Sequence, residues 1–558
     1  AEVVSRCFPD FQVIPKLLLV DAREPCDVDG IHQRFPIVTD LAGGRKRIRV
    51  NCSPTLSAGE LGSLSFLREI NVSAVVSDLR LRPINHPAHI PVSASQSMLA
   101  FMDWMGATYE KGDRFFHGIS KTCRTCQFRA TDQEPLRSGV HECWSLALQS
   151  GLIHGARTAS ERSSPLSIDI WGGGAGAKSF AQDVLNAGRA YLSDVQAEDI
   201  RPKAEKLVTG LSPFERRMAQ VEAVLGAGPA FVLSEDALAA MDEWSWPLHM
   251  IDFETSAPAL PFFKGMRPYQ TLAFQFSHHI MDRSESGMVR VRHANQWIST
   301  QPGEFPNLEF VRQLRKALMP SGQLVGTVFR YHNHENTVLR SLRKLILASP
   351  LELVPDVADL VEFIDLITKS TKDETETDGE FFGARPMVDL HRLVQDGYYS
   401  KHAGGSISLK YILPAILNDA PKVRDFYARP GVYGKGLIVE SLNFADPKGH
   451  IWIDPSNQSY PYKTLPPIFE NDREELNQML LRLAGDDEEE GVIAQGGLAM
   501  TAYNYTQFAE LAPQERASVE NALLRYCELD TLAMVMLVQG LMELRGKPMC
   551  IGIGKQNR

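Results

Sequence analysis

The chain has no apolar run long enough to cross a bilayer, and its N-terminus lacks the basic-then-apolar pattern of a signal segment. A membrane or exported protein is therefore not expected, and the expected compartment is the cytoplasm. An initiator Met is also missing, as expected of a chain that begins inside a longer reading frame. There is no basic excess. The net charge of −10 argues against a surface that coats nucleic acid broadly, while leaving room for a local basic groove. Cysteine is scarce, with eight in 558 residues, which excludes a disulfide scaffold. What remains is the balance of a soluble globular protein, 44% apolar and 23% charged. The length is too great for one ordinary core, so two or three domains are expected.

Residues 1 to about 110 mix short apolar runs with Pro and Gly, which predicts mixed α/β structure. The basic run at 44–49 reads as a solvated turn or hairpin. Three of the few cysteines are clustered: Cys123 and Cys126 in a CxxC, and Cys143 beyond a loop. A two-residue gap lets both thiolates reach one metal, and Cys143 can close the set. Cys7, Cys26 or Cys52 would complete a four-cysteine iron–sulfur site, whereas His141 or His117 would complete a zinc site. Farther on, residues 172–179 approach a P-loop, but Ala177 stands where the second Gly should wrap a phosphate, so the segment reads as a turn. Residues 180–245 look helical, with a capping box at Ser212 and Glu215 and Pro213 at the first helical position.

The most informative stretch is Ile251-Asp252-Phe253-Glu254, at the end of an apolar run that reads as a buried strand. Side chains alternate along a strand, so Asp252 and Glu254 share a face. Like charges held that close are costly without a cation between them, and oxygen-only ligands suit Mg²⁺ or Mn²⁺. Two alternating runs follow, at 269–281 and 288–293, then a helix pattern at 308–318, a strand at 324–329 and a helix from about 335. Three strands followed by alternating helices and strands suit a mixed sheet flanked by helices, the order of ribonuclease-H-like folds. Glu335 falls in the first turn of its helix. A final helix, about 518–545, carries Tyr526 and Asp530, and an i, i+4 spacing places both on one face. The acidic run 486–490 reads as a solvated loop.

Asp252-x-Glu254, Glu335 and Tyr526-x3-Asp530, in this order, resemble the DEDD exonuclease superfamily, in its DnaQ-like, tyrosine-containing branch. More closely, residues of about 115–545 resemble a prokaryotic family catalogued as a domain of unknown function with a DnaQ-like core. The segments that carry this likeness are Ile251 to Thr255, Arg267 to Gln270, Phe274 to Ser277, Gly405 to Pro414 and Tyr526 to Met534. The resemblance implies a metal-dependent 3′→5′ exonuclease acting on DNA or RNA, with a single-stranded end favoured. Two Mg²⁺ or Mn²⁺ ions would be held by Asp252, Glu254, Glu335 and Asp530, with Tyr526 positioning the attacking water. Glu335 stands where the superfamily usually has Asp, and Asp389 is its rival for that role.

Cys123, Cys126 and Cys143 resemble the cysteine end of RecB-type and CRISPR-associated nucleases, which implies a 4Fe–4S cluster, with Zn²⁺ as the alternative. The N-terminal region shows no Asp…Glu-x-Lys set. The expected domains are a truncated or inactive RecB-nuclease-like region at 1–150, a helical bridge at 151–245 and the exonuclease domain at 246–545. The competing reading is a catalytically weak nucleic-acid-binding or scaffold protein that retains the fold.

Overall fold

The computed structural model describes residues 1–42, 45–51, 66–84, 92–113, 116, 118–130, 136–155, 164–173, 180–200, 210–285, 287–350, 354–453, 461–468 and 496–546. The acidic run 486–490, most of the P-loop-like segment, Cys52 and His117 lie outside them. The chain forms two compact units. One comprises residues 1–20, 67–230 and 404–406, and the other 21–66, 231–403 and 407–558.

In the first unit, Lys16–Val20 pairs antiparallel with Leu67–Asn71, and a small core gathers around Trp144, Ile168, Val184 and Tyr191. Ser212 and Glu215 cap the helix Pro213–Val224 reciprocally, at 3.2 and 2.8 Å. The predicted helical bridge is only partly helical. Phe180–Asn186 and Pro213–Val224 are helices, but Phe231–Leu233 is a strand paired with Tyr398–Ser400 in the second unit.

The predicted boundaries also shift. Residues 21–66 belong with the C-terminal half because Cys26 N donates to Met266 O at 2.9 Å and Gly30 N to Phe262 O at 3.1 Å. His32, fully buried, packs on the Phe262 ring at 4.3 Å. The basic run pairs as expected, Ile37–Ala42 against Arg45–Val50.

The second unit is built on a mixed sheet of β1 (Leu248–Ser256), β2 (Leu272–Arg283), β3 (Val289–Ile298), β4 (Thr327–Arg330), β5 (Val388–Asp389), β6 (Tyr433–Gly434) and β7 (Val439–Glu440). Its order is β5-β4-β1-β2-β3-β7-β6. The first three strands in sequence are antiparallel neighbours, while β4 and β5 run parallel to β1. Alternation along β1 divides the core. Ile251 and Phe253 join one cluster with α1 (Asn307–Leu318), α2 (His334–Ala348) and α3 (Val357–Ile367). Leu248 and Met250 face the other, built from α4 (Leu390–Gly397), α5 (Leu409–Asp419), α6 (Pro421–Tyr427), α7 (Gly496–Phe508) and α8 (Pro513–Leu544). The 32-residue α8 is buried along most of its length, and Gly540 lets Ile416 of α5 sit against its backbone.

The strand predicted from 324 begins only at Thr327, because Gly326 turns the chain at φ +87°. A Cβ at Gly326 would meet the Pro247 carbonyl oxygen just ahead of β1. Gly326→Ala is therefore expected to destabilise the second unit by roughly 2 kcal/mol or more, through both strain and collision. Urea unfolding measures this, and an unchanged midpoint would mean the turn can shift.

Candidate metal centre

On β1, Asp252 and Glu254 follow Met250 at period two, so they project toward α8 rather than into the α1–α3 cluster. From α8, Tyr526, Cys527 and Asp530 approach them. The Cys527 thiol is 3.6 Å from Asp252 Oδ2, and donor atoms of Asp252, Glu254 and Cys527 all lie within 4.8 Å of one another. Glu335 arrives from the first turn of α2 and is buried, its Oε2 without a hydrogen-bond partner. Asp252 and Asp530 keep partial solvent contact.

The electrostatics follow from this convergence. Burial holds the Asp252 carboxyl well above the carboxylate range, and Asp530, Glu335 and Glu254 push it the same way. Glu254 is raised by burial, Asp530 and Glu335, against the pull of the Lys410 ammonium. Glu335 is pushed up to about 8, chiefly by burial; its own amide and Arg330 oppose this, and Asp389 and Asp530 add to it. Burial lifts Asp530 to about 6 against hydrogen bonds from Tyr462 and Tyr526 and the charge of Lys410.

Asp389, the rival third acid, is otherwise engaged. It caps α4, accepting from the His391 amide at 3.1 Å, and also takes the His332 amide at 3.0 Å and Arg330 Nη1 at 3.1 Å. A carboxylate with its lone pairs committed is a structural anchor, whereas Glu335 has an oxygen to offer.

Three neighbours carry no signal in spacing or periodicity. Tyr462 donates its hydroxyl to Asp530 Oδ1. Lys410, in the first turn of α5, places its ammonium 5.5 Å over the Tyr462 ring. Cys527 lies between Tyr526 and Asp530 in sequence, and only helix geometry turns it toward β1. Burial, then Asp252, raises its thiol well above the usual range, and it donates to Asp252 Oδ2. Among the described residues, the donor atoms within 4.8 Å of one another are those of Asp252, Glu254 and Cys527. Glu335 and Asp530 lie outside that group, near enough for their charges to raise Asp252 and Glu254. The carboxylates are hard oxygen ligands of the kind that suit Mg²⁺ or Mn²⁺. The orphaned oxygen of Glu335 is the feature such an ion would satisfy.

The cysteines stand differently. Cys123, Cys126 and Cys143 are close enough that burial and the first two thiols together raise that of Cys143. Among the described residues, however, they do not form a group with all donor atoms within 4.8 Å. Sulfurs at about 2.3 Å from a tetrahedral zinc would be closer than that to one another. Of the proposed fourth ligands, Cys7 is exposed, His141 Nδ1 contacts Ser138 Oγ at 2.7 Å, and Cys26 is buried in the other unit, donating to Val28 O at 3.2 Å.

Residues 249–408 match a family described as "Domain of unknown function (DUF2779)". No curated protein and no solved structure matches the chain. The matched segment holds Asp252, Glu254 and Glu335, while Tyr526, Asp530 and the cysteines lie beyond it. Among the described residues, no helix is long and apolar enough to cross a membrane.

Glu335 makes stability depend on pH. Its carboxyl keeps its proton in the folded chain up to about 8 but loses it near 4.5 when unfolded. The folded state thus binds more protons across that window, so in chelator stability should fall as pH rises through it. Glu335→Gln should flatten the decline and gain roughly 1–3 kcal/mol at the alkaline end. Melting temperatures across the window for both proteins provide the test, and parallel curves would remove Glu335 from the cluster.

Proposed function

We propose that the second unit is a metal-dependent 3′→5′ exonuclease acting on single-stranded ends of DNA or RNA. The observation that carries this reading is that Asp252, Glu254, Glu335 and Asp530, from three elements spread over almost three hundred residues, lie near enough for their charges to act on one another and stay raised against the opposing charges of Lys410 and Arg330. Packing alone gives no reason to bring four acids together. The sheet order supports the ribonuclease-H-like assignment: three antiparallel strands lead, the next two run parallel to the first, and acids stand on the first strand and the helix after the fourth.

Two Mg²⁺ or Mn²⁺ ions held by the four carboxylates would lower the pKa of an attacking water and stabilise the departing 3′-oxygen. The chain's own groups prepare the site. Tyr462 and Tyr526 both donate to Asp530, which fixes the orientation of its carboxylate. Cys527 does the same for Asp252. Because the Tyr526 phenol is turned to Asp530, its first role is to orient that acid, and any hold on the water is secondary. Lys410 is a cation near the cluster, its charge opposing the rise of Glu254 and Asp530, and it is of the kind that pairs with a substrate phosphate.

End-labelled single strands incubated with Mn²⁺ test the proposal. Wild type should shorten them from the 3′ end, and Asp252→Ala or Asp530→Ala should lose at least about a hundredfold in rate. Either substitution should leave the metal-free protein no less stable, because it relieves repulsion. Tyr526→Phe should slow hydrolysis while Mn²⁺ still raises the melting temperature. An Asp252→Ala protein as active as wild type would end the assignment.

A further inference from the structure

Toward the C-terminal end of α8, beyond Asp530, a cavity of about 160 Å³ lies among Trp244, Trp246, Met281, Gln539 and Met542. Gln539 is nine residues beyond Asp530, so the cavity sits about 14 Å along the helix from that acid. Its walls are unusual for a surface crevice. Two indoles and the thioethers of Met241, Met281 and Met542 offer polarizable faces. The Arg283 guanidinium lies 4.4 Å from the centre of the Trp246 ring, at the rim. A second guanidinium, Arg545, is held there by Asp242. Gln539 is 1% exposed. Its Oε1 accepts from Tyr427 at 2.9 Å, while its Nε2 is buried without a hydrogen-bond partner.

A buried amide donor without an acceptor is costly unless something supplies one. The ligand must therefore bring an acceptor into an aromatic slot. Guanidinium groups at the mouth exclude a cation and favour an anionic tail. A sugar or polyol would find one donor and otherwise apolar walls. The volume is below the 300–1,000 Å³ or so of sites for larger ligands, which limits the buried part to a single ring system.

We propose that this cavity binds a nucleoside monophosphate, its base stacked on the indoles and accepting from Gln539, and its phosphate at Arg283. The same chemistry is presented by a free nucleotide and by a nucleotide unit of a strand. The site is separate from the carboxylates, so it does not depend on the exonuclease reading.

The test is calorimetric titration of the full chain with adenosine 5′-monophosphate in chelator, beside adenosine and a short oligoadenylate. Saturable binding of the monophosphate is expected. Arg283→Ala, at an exposed position, should weaken it about tenfold while leaving adenosine unaffected. Gln539→Leu should weaken both, and if that variant does not fold, Arg283→Ala decides. Asp252→Ala should bind as wild type does, which separates this site from the acids. Binding of the oligoadenylate in competition with the monophosphate identifies a strand as the source; binding of the monophosphate alone identifies a free nucleotide. No saturable binding by wild type, or equal affinity in Arg283→Ala, would overturn the proposal.

Discussion

Mutual repulsion among four acids gathered near β1 and α8 is the constraint on which the second unit depends. Two ionised carboxylates within 4.8 Å of one another, as in the Asp252 group, would repel by about 3 kcal/mol or more even at an effective dielectric of about 20. The fold can hold them together only because the backbone that carries them is anchored elsewhere. Strand β1 is paired on both sides, and α8 buries most of its 32 residues between the sheet and α5. The protein relieves part of the charge by keeping protons on Glu335 and its neighbours, and part through Lys410.

A contrast between Glu528 of α8 and Glu335 of α2 separates an acid whose partners are all within the protein from one with an unpartnered oxygen. Glu528, two residues before Asp530, is fully buried, and burial alone would raise its pKa. It is nevertheless held below the usual value because its partners prevail. Tyr433 and Ser441 donate to its Oε1 at 2.5 and 2.6 Å, Asn443 donates to Oε2 at 2.7 Å, and His293 Nδ1 lies 3.2 Å away. The chain of contacts continues from His293 to Ser277 at 3.0 Å. Ser, His and Glu in that order have the form of a nucleophilic triad, yet all three are at most 1% exposed, so no substrate reaches them. Their work is to fix the register of α8, and with it the positions of Tyr526 and Asp530. Glu335, by comparison, has an oxygen with no partner, the condition of a ligand rather than an anchor.

How much of this was legible in the sequence depended on whether a residue's role follows from local periodicity. Asp252 and Glu254 were, because period two fixes a shared face. Tyr526 and Asp530 were, because i, i+4 does the same on a helix. Glu335 could be located at a helix start, but that Asp389 is consumed by capping and by Arg330 emerges only from tertiary contacts. Tyr462 and Lys410 come from segments whose positions are set by packing, so no spacing announces them. The attachment of residues 21–66 to the C-terminal half rests on backbone hydrogen bonds to Phe262 and Met266 and on the packing of His32 against Phe262, long-range contacts that no local spacing announces. The CxxC spacing of the cysteines was equally plain, yet spacing alone does not bring the three thiols all within 4.8 Å of one another.

The central claim is that the acid cluster exists to hold divalent cations. Calorimetric titration of the metal-free chain with Mn²⁺, in two buffers of different ionisation enthalpy, tests it most directly. The raised carboxyls of Glu335 and Asp530 must give up their protons to a metal, so binding should release protons near neutral pH and grow tighter as pH rises. Glu335→Gln should reduce that release. Binding with no proton release, or no saturable binding at millimolar Mn²⁺, would contradict the account.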